Sequence, residues 1–317
     1  MSKDPNGQTR MFSEEELAFK YDDLPPEPLT SVGQNPVWTD NKARFVMLYL
    51  RYFVYITHHG TYIDGFAGPQ AECETDSWAA KLVLGSEPRW IRHVHLCDQN
   101  RAQVQRLRGL KAAQPDRDRA GHRIHRDIDV HDGDFNRIVD EILGTGTISE
   151  KEATFCLLDQ RTFECDWATV EKLAQYKKSG NKIELFYFLA NGWLERALSG
   201  QKDMDRLARW WGRDDWNELK DMTREQRRDA IVHRMKAELH YKSVKAYPIF
   251  KRQTGRIIMY YMIHATDHPQ APEQMARAYR DTVRPTEAPQ YTQTDLFPEP
   301  KGPDSLSPAD SMSQLSA

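Results

Sequence analysis

Cysteine is scarce in this 317-residue chain: Cys73, Cys97, Cys156 and Cys165 are all there is, and none stands in CxxC spacing. That excludes a disulfide framework and a cysteine-built metal cage, and leaves reduced thiols of a core or a site wall. Long apolar runs are missing too. Nothing reaches the roughly 18 residues that span a bilayer, and the polar, proline-containing N-terminus has no signal-peptide pattern. A cytoplasmic protein with no membrane partner is expected. Charge of one sign is also absent: 44 basic against 47 acidic residues leave a net charge of -3. Such a chain does not hold nucleic acid by overall charge, so any polyanion contact is regional. There is no Gly-Lys-Ser/Thr of a phosphate loop, which argues against the common NTPases. Apolar residues are sufficient, with 39% hydrophobic and 10% aromatic content, enough for a proper core at this length.

The two ends differ from the middle. Residues 1–37 hold five prolines and seven acidic against three basic residues, the composition of a loose arm. From Arg284 onward six prolines and many serines interrupt any pattern. Residues 284–317 therefore read as a disordered tail, unable to bury enough surface to offset the entropy of ordering. The folded unit is expected over 38–283.

Inside it, Phe45, Leu48, Tyr49 and Tyr52 recur at helical spacing between Lys42 and Tyr55, and then strands alternate with helices. The expected strands are Thr61–Asp64, His93–Asp98, Arg123–Asp127, Thr154–Asp159 and Lys182–Leu189. Helical stretches Trp78–Leu84, Arg101–Ala112, Phe135–Leu143 and Trp167–Lys177 fall between them. This rhythm predicts an α/β fold with a mostly parallel sheet. About 200–238 the pattern turns helical and highly charged, which marks an insertion. Tyr241–Phe250 and Arg256–His264 then predict a C-terminal antiparallel hairpin, with Gly255 in the turn and Pro248 at an edge or bulge.

The chemistry gathers at strand ends. Asp64-Gly65-Phe66-Ala67-Gly68-Pro69 follows the apolar run Thr61-Tyr62-Ile63. An acidic stop followed by two glycines offers bare backbone amides at the carboxyl edge of a sheet, where nucleotide-like ligands bind in open α/β folds; a tight βα turn explains it as well. Asp98 ends the second run and suits a ribose, or else caps the helix near Arg101. Asp132-Gly133-Asp134-Phe135 follows the third strand, and Asp134 also fits a helix cap. Asp159-Gln160-Arg161-Thr162-Phe163 leaves the fourth strand at the same edge.

This architecture resembles the Rossmann-like methyltransferases that use S-adenosylmethionine, with a seven-stranded sheet. The resemblance implies that Asp64, Gly65, Phe66, Ala67, Gly68 and Pro69 bind the methionine part of the cofactor and Asp98 the ribose. Asp134 would bind the adenine, or Asp132 if the strand ends earlier. Amino-methyltransferases of bases carry Asp/Asn-Pro-Pro-aromatic after the fourth strand. That implies a catalytic Asp159, with Gln160 and Phe163 beside it, although Gln160 and Arg161 stand where the prolines would be. Gln70 likewise replaces a usual glycine.

A more specific likeness is carried by Tyr62–Pro69, Leu157–Cys165, Lys182–Leu189 and Met259–His268. These stretches resemble the three-Cys-motif partner family of bacteria over roughly Trp38 to Tyr279. That resemblance implies a radical-SAM-type protein with a three-cysteine motif as partner. Two functional expectations follow: S-adenosylmethionine-dependent methylation of a nucleic acid base, RNA or DNA, or a non-catalytic methyltransferase-like scaffold for the radical enzyme.

Other features have two readings each. Arg101 to Arg126 carries eight Lys or Arg against two Asp, a phosphate-tracking strip or a solvated helix face. Trp210, Trp211 and Trp216 among arginines either stack a base or pin the insertion to the sheet. His264 with His268, and His122 with His125, have a spacing that a metal exploits only on a helix, and no metal is expected.

Overall fold

The computed structural model describes residues 37–69, 77–200, 204–250 and 258–283. The expected arm and tail, Gln70, Cys73 and the hairpin turn with Gly255 lie outside the described residues. Helix α1 (Val37–Thr57) leads into β1 (Gly60–Asp64), α2 (Ala79–Gly85), β2 (Ile91–Asp98) and α3 (Arg101–Ala112). Then come β3 (Asp127–Asp132), α4 (Phe135–Gly144), β4 (Thr154–Leu158), α5 (Trp167–Gln175) and β5 (Glu184–Leu189). Helices α6 (Asn191–Gly200), α7 (Met204–Trp211) and α8 (Arg224–Ala237) precede the hairpin β6 (Ser243–Phe250) and β7 (Ile258–Thr266), and α9 (Ala271–Val283) follows it.

The strands form one sheet in the order β3-β2-β1-β4-β5-β7-β6. The first five are parallel, and β7 runs antiparallel to both neighbours. Five parallel strands and a terminal antiparallel hairpin are what the sequence rhythm predicts, and the whole is the Rossmann-like methyltransferase fold that the resemblance implies. Strands β1, β4 and β5 are buried along their whole length, which is why they read as unbroken apolar runs rather than alternating ones. Helices cover both faces. On one, Phe45 of α1 meets Phe186, Tyr247 and Tyr279 edge-on at 5.1, 5.6 and 5.4 Å. On the other, Ile138, Val170, Leu173, Trp210 and Ile231 form a second core.

The third strand lies later than Arg123–Asp127. Ile128 and Val130 alternate with Asp127 and Asp129, giving an outer strand with one apolar face. The earlier residues close on themselves through an Arg117–Arg123 bridge. At the other side Pro248 sits in outermost β6, beside an irregularity at Ile249/Phe250, where its missing N–H is tolerated.

Of the two readings of the insertion tryptophans, packing is what the structure displays. Trp210 and Trp211 are buried. The Arg234 guanidinium lies 3.8 Å from the Trp167 ring centre and 4.5 Å from that of Trp211. Gly212, with φ +72°, passes so close to Trp167 that a Cβ would sit 2.6 Å from its side chain. The insertion is thereby fastened to α5.

Candidate functional site at the carboxyl rim

Register brings the predicted carboxylates together. Asp64 pairs with Leu96 of β2 on one side and Leu157 of β4 on the other. Asp98 and Asp159 therefore stand two residues beyond those partners, flanking Asp64, and Asp98 pairs directly with Asp132 across β2 and β3. Four strand ends thus deliver acids to one rim.

The glycine corner behaves differently from expectation. Its amides are not bare: Gly65 N donates to Leu157 O at 3.0 Å, Ala67 N to Cys97 O at 2.8 Å and Gly68 N to Asp98 Oδ2 at 3.0 Å. Phe66 N donates to Asp64 Oδ1 at 3.2 Å. A turn between two buried strands satisfies its own donors because nothing else there can. The glycines are needed for close approach instead. A Cβ on Gly65 would press into the Phe135 ring, and one on Gly68 into the Asp98 carboxylate and Gln103. Trp78 Nε1 holds the corner by donating to Ala67 O at 2.5 Å, and Arg161 reaches Pro69 O at 3.2 Å from the Asp159 loop.

Asp98 does not cap α3; Asn100 does, accepting from Ala102 N and Gln103 N. Each Asp98 oxygen accepts one backbone amide, from Gly68 and from Asn100 (2.8 Å), and keeps a further lone pair for a ligand hydroxyl. Asp134 is the cap of α4, accepting from Asn136 N at 3.0 Å. Asp132 and Asp134 are both exposed. Asp64 is buried, and desolvation lifts its carboxyl to about 7, with Asp159 and Asp98 adding to the rise and the Tyr62 hydroxyl and Phe66 amide opposing it.

Asp159 lies just past β4 and holds a partner absent from the sequence reading. Lys42 of α1 contacts both its oxygens at 2.7 Å, with side-chain exposures of 4% and 12% for lysine and aspartate. The ammonium also faces the rings of Phe188 (4.8 Å) and Tyr260 (5.7 Å). No spacing rule links residues 117 apart, but a lysine on the apolar face of an aromatic-rich helix was the available signal. Gln160 and Phe163 take scaffold positions. The Gln160 side chain donates to Phe188 O and accepts from Cys165 N, and Phe163 packs edge-on to Trp210 at 5.2 Å.

Two depressions run along this rim. One, about 100 Å³, is lined by Gly65, Phe66, Asp134, Phe163, Arg206 and Arg209 among others; the second, about 20 Å³, by Lys42, Asp64, Gly68, Pro69, Trp78 and Asp159. Phe66, 5.8 Å from Phe135, borders both. Just beyond β5 stands Trp193, 52% exposed, with the Arg196 guanidinium 3.9 Å from its ring centre. The sequence reading passed over it. Cys97, Cys156 and Cys165 are free and buried, and burial pushes their thiols up, away from thiolate chemistry. Among the described residues no cluster of His, Cys, Asp and Glu could hold a metal ion, and no helix is long and apolar enough to cross a membrane. His264 instead bonds Glu184 at 2.9 Å.

No family profile matches this chain, and no curated protein does. Among solved structures it is similar to a DUF574 family protein from Streptomyces avermitilis, with 13% identity, 72% of this chain and 82% of that one covered, and a TM-score of 0.39. The methyltransferase domain of bacterial CtHen1-CN gives 13%, 72%, 99% and 0.41. Trm1 from Pyrococcus horikoshii, solved with S-adenosyl-L-methionine, gives 12%, 81%, 62% and 0.40. Likenesses this distant carry no ligand or reaction over to this chain.

Proposed function

We propose that this chain binds S-adenosylmethionine at the carboxyl rim and passes its methyl group to a nitrogen of a nucleic acid base, in company with a three-cysteine radical-SAM-type protein. The observation that carries the cofactor part is the register: Asp98 and Asp159 flank Asp64 at equal offsets in a sheet of this order. The donor set fits. The spare lone pairs of Asp98 suit a diol, Asp132 and Asp134 can accept from an exocyclic amine, and Asp64 faces a cationic amino acid group favourably once ionised. The bound cofactor would supply an electrophilic methyl group. Asp159 then accepts hydrogen bonds from the acceptor nitrogen, while Lys42 keeps that carboxylate oriented. The depressions are smaller than the roughly 300 Å³ of ordinary ligand sites, so binding requires Phe66 to leave Phe135. The nucleic acid part draws on Trp193 and Arg196, a stacking face just outside the rim.

A second reading is a non-catalytic scaffold for the radical enzyme. It is favoured by the contact of the Lys42 ammonium with both Asp159 oxygens and by the small rim volume. Calorimetric titration with S-adenosylmethionine and S-adenosylhomocysteine, followed by a labelled-methyl screen on total RNA and DNA, separates the two. Methyl incorporation that disappears in Asp159→Ala while cofactor binding persists supports the enzyme. Absence of heat with both ligands, together with stable association with the radical protein, supports the scaffold.

A further inference from the structure

A hollow larger than either rim depression lies at the opposite edge of the sheet. It measures about 600 Å³, against about 100 and 20 Å³ at the carboxyl edge, and falls within the usual range of small-molecule sites. The C-terminal half of α1, the starts of β4 and β5, the end of β7 and the start of α9 enclose it. Tyr49 and Phe53, with ring centres 6.5 Å apart, supply an aromatic wall.

Its polar lining includes two buried acceptors, Glu184 and Gln274. Glu184, its side chain 6% exposed, accepts from the Tyr49 hydroxyl, from His264 Nε2 at 2.9 Å and from Thr266 Oγ1 at 2.9 Å. Those use three of about four lone-pair positions of a carboxylate. Among the described residues no lysine or arginine forms an ion pair with it. Of the lysines of the wall, Lys182 pairs with Asp267 at 3.1 Å and Lys177 donates to the Glu152 carbonyl, while Lys151 is exposed to solvent. Gln274, 3% exposed, lines the same hollow, and its amide oxygen has no partner. An orphaned buried acceptor is costly, and a ligand donor would remove that cost.

We propose that this amino-rim cavity binds a flat heteroaromatic molecule that carries N–H donors, its ring against Tyr49 and Phe53 and its donors toward Glu184 and Gln274. The site is independent of the carboxyl-rim reading. Anionic rings are disfavoured, because Glu184 lacks a Lys or Arg counter-ion.

The probe is 2-aminobenzimidazole, titrated by ligand-observed NMR against the full chain, with two controls: naphthalene, which has no donor, and benzoate, an anion. Saturable binding is expected for 2-aminobenzimidazole, at least tenfold tighter than for either control. Gln274→Leu, close in volume and lacking the acceptor, should weaken it roughly tenfold; Glu184→Gln should weaken it further if that variant folds. No saturation at millimolar concentration, equal binding to Gln274→Leu, or controls that bind as well would each overturn the proposal. S-adenosylmethionine titrated in the presence of saturating probe should bind unchanged, which separates this site from the carboxyl rim.

Discussion

Removing the Lys42 ammonium tests a buried ion pair at the carboxyl rim. With two contacts at 2.7 Å and side-chain exposures of 4% and 12%, the pair has a Coulomb attraction of about 6 kcal/mol at an effective dielectric constant of about 20. Desolvation of both ions offsets most of this, so the pair itself contributes little net stability. Deleting one partner is different, because the remaining charge is left buried. Lys42→Met keeps the apolar stem against Phe188 and Tyr260 and strands Asp159, at a cost of about 3–5 kcal/mol at pH 7. For a domain of this size that lowers the melting temperature by roughly 10 °C. Asp159→Asn alone strands the ammonium with a similar loss, whereas the double variant, with neither charge, should recover most of the stability. Urea denaturation of the four proteins at one pH gives the coupling energy directly. Losses below about 1 kcal/mol for Lys42→Met, or simple additivity in the double variant, would refute a buried, mutually dependent pair.

Asp64 takes up a proton on folding between its ordinary value of 3.8 and about 7, so the folded state is favoured at low pH and loses that advantage as pH rises through this window. Asp64→Asn should match the parent near pH 4 and exceed it above pH 7 by at most about 4 kcal/mol; denaturation curves at pH 4.5 and 8 with the same gap would contradict this. Gly68→Ala should cost about 1–3 kcal/mol, since the new Cβ meets Gln103 Cβ at 2.6 Å as well as the Asp98 carboxylate, and should weaken S-adenosylmethionine binding in calorimetry. An unchanged melting temperature would show that the corner has room. Trp193→Ala should leave stability within about 0.5 kcal/mol and weaken single-stranded RNA binding about tenfold, read by fluorescence anisotropy; unaltered affinity would remove this residue from the target face.

What could be read in advance was local or periodic. The buried parallel strands announced themselves because two-sided burial demands continuous apolar sequence, as in Phe155-Cys156-Leu157-Leu158. The acids at their ends were visible for the same reason: polarity resumes where the sheet stops. Outer β3 was misplaced by several residues, since an exposed strand of alternating Asp and apolar residues resembles a loop. The saturation of the glycine corner's amides was invisible, because Leu157 and Cys97 become its acceptors only through strand pairing. The Lys42–Asp159 pair was hidden likewise, being a product of how α1 lies across β5 and β7 rather than of any motif.

Helix α1 carries Lys42 near its beginning and Tyr49 and Phe53 further on. At 1.5 Å per residue, eleven residues separate Lys42 from Phe53 by about 16 Å along the axis, enough to reach from one edge of the sheet to the other. A rigid rod that touches both edges cannot slide at one end without moving at the other. A guest that packs against Tyr49 and leaves the rod in place therefore leaves the lysine beside Asp159 in place too, so the two edges can be filled separately.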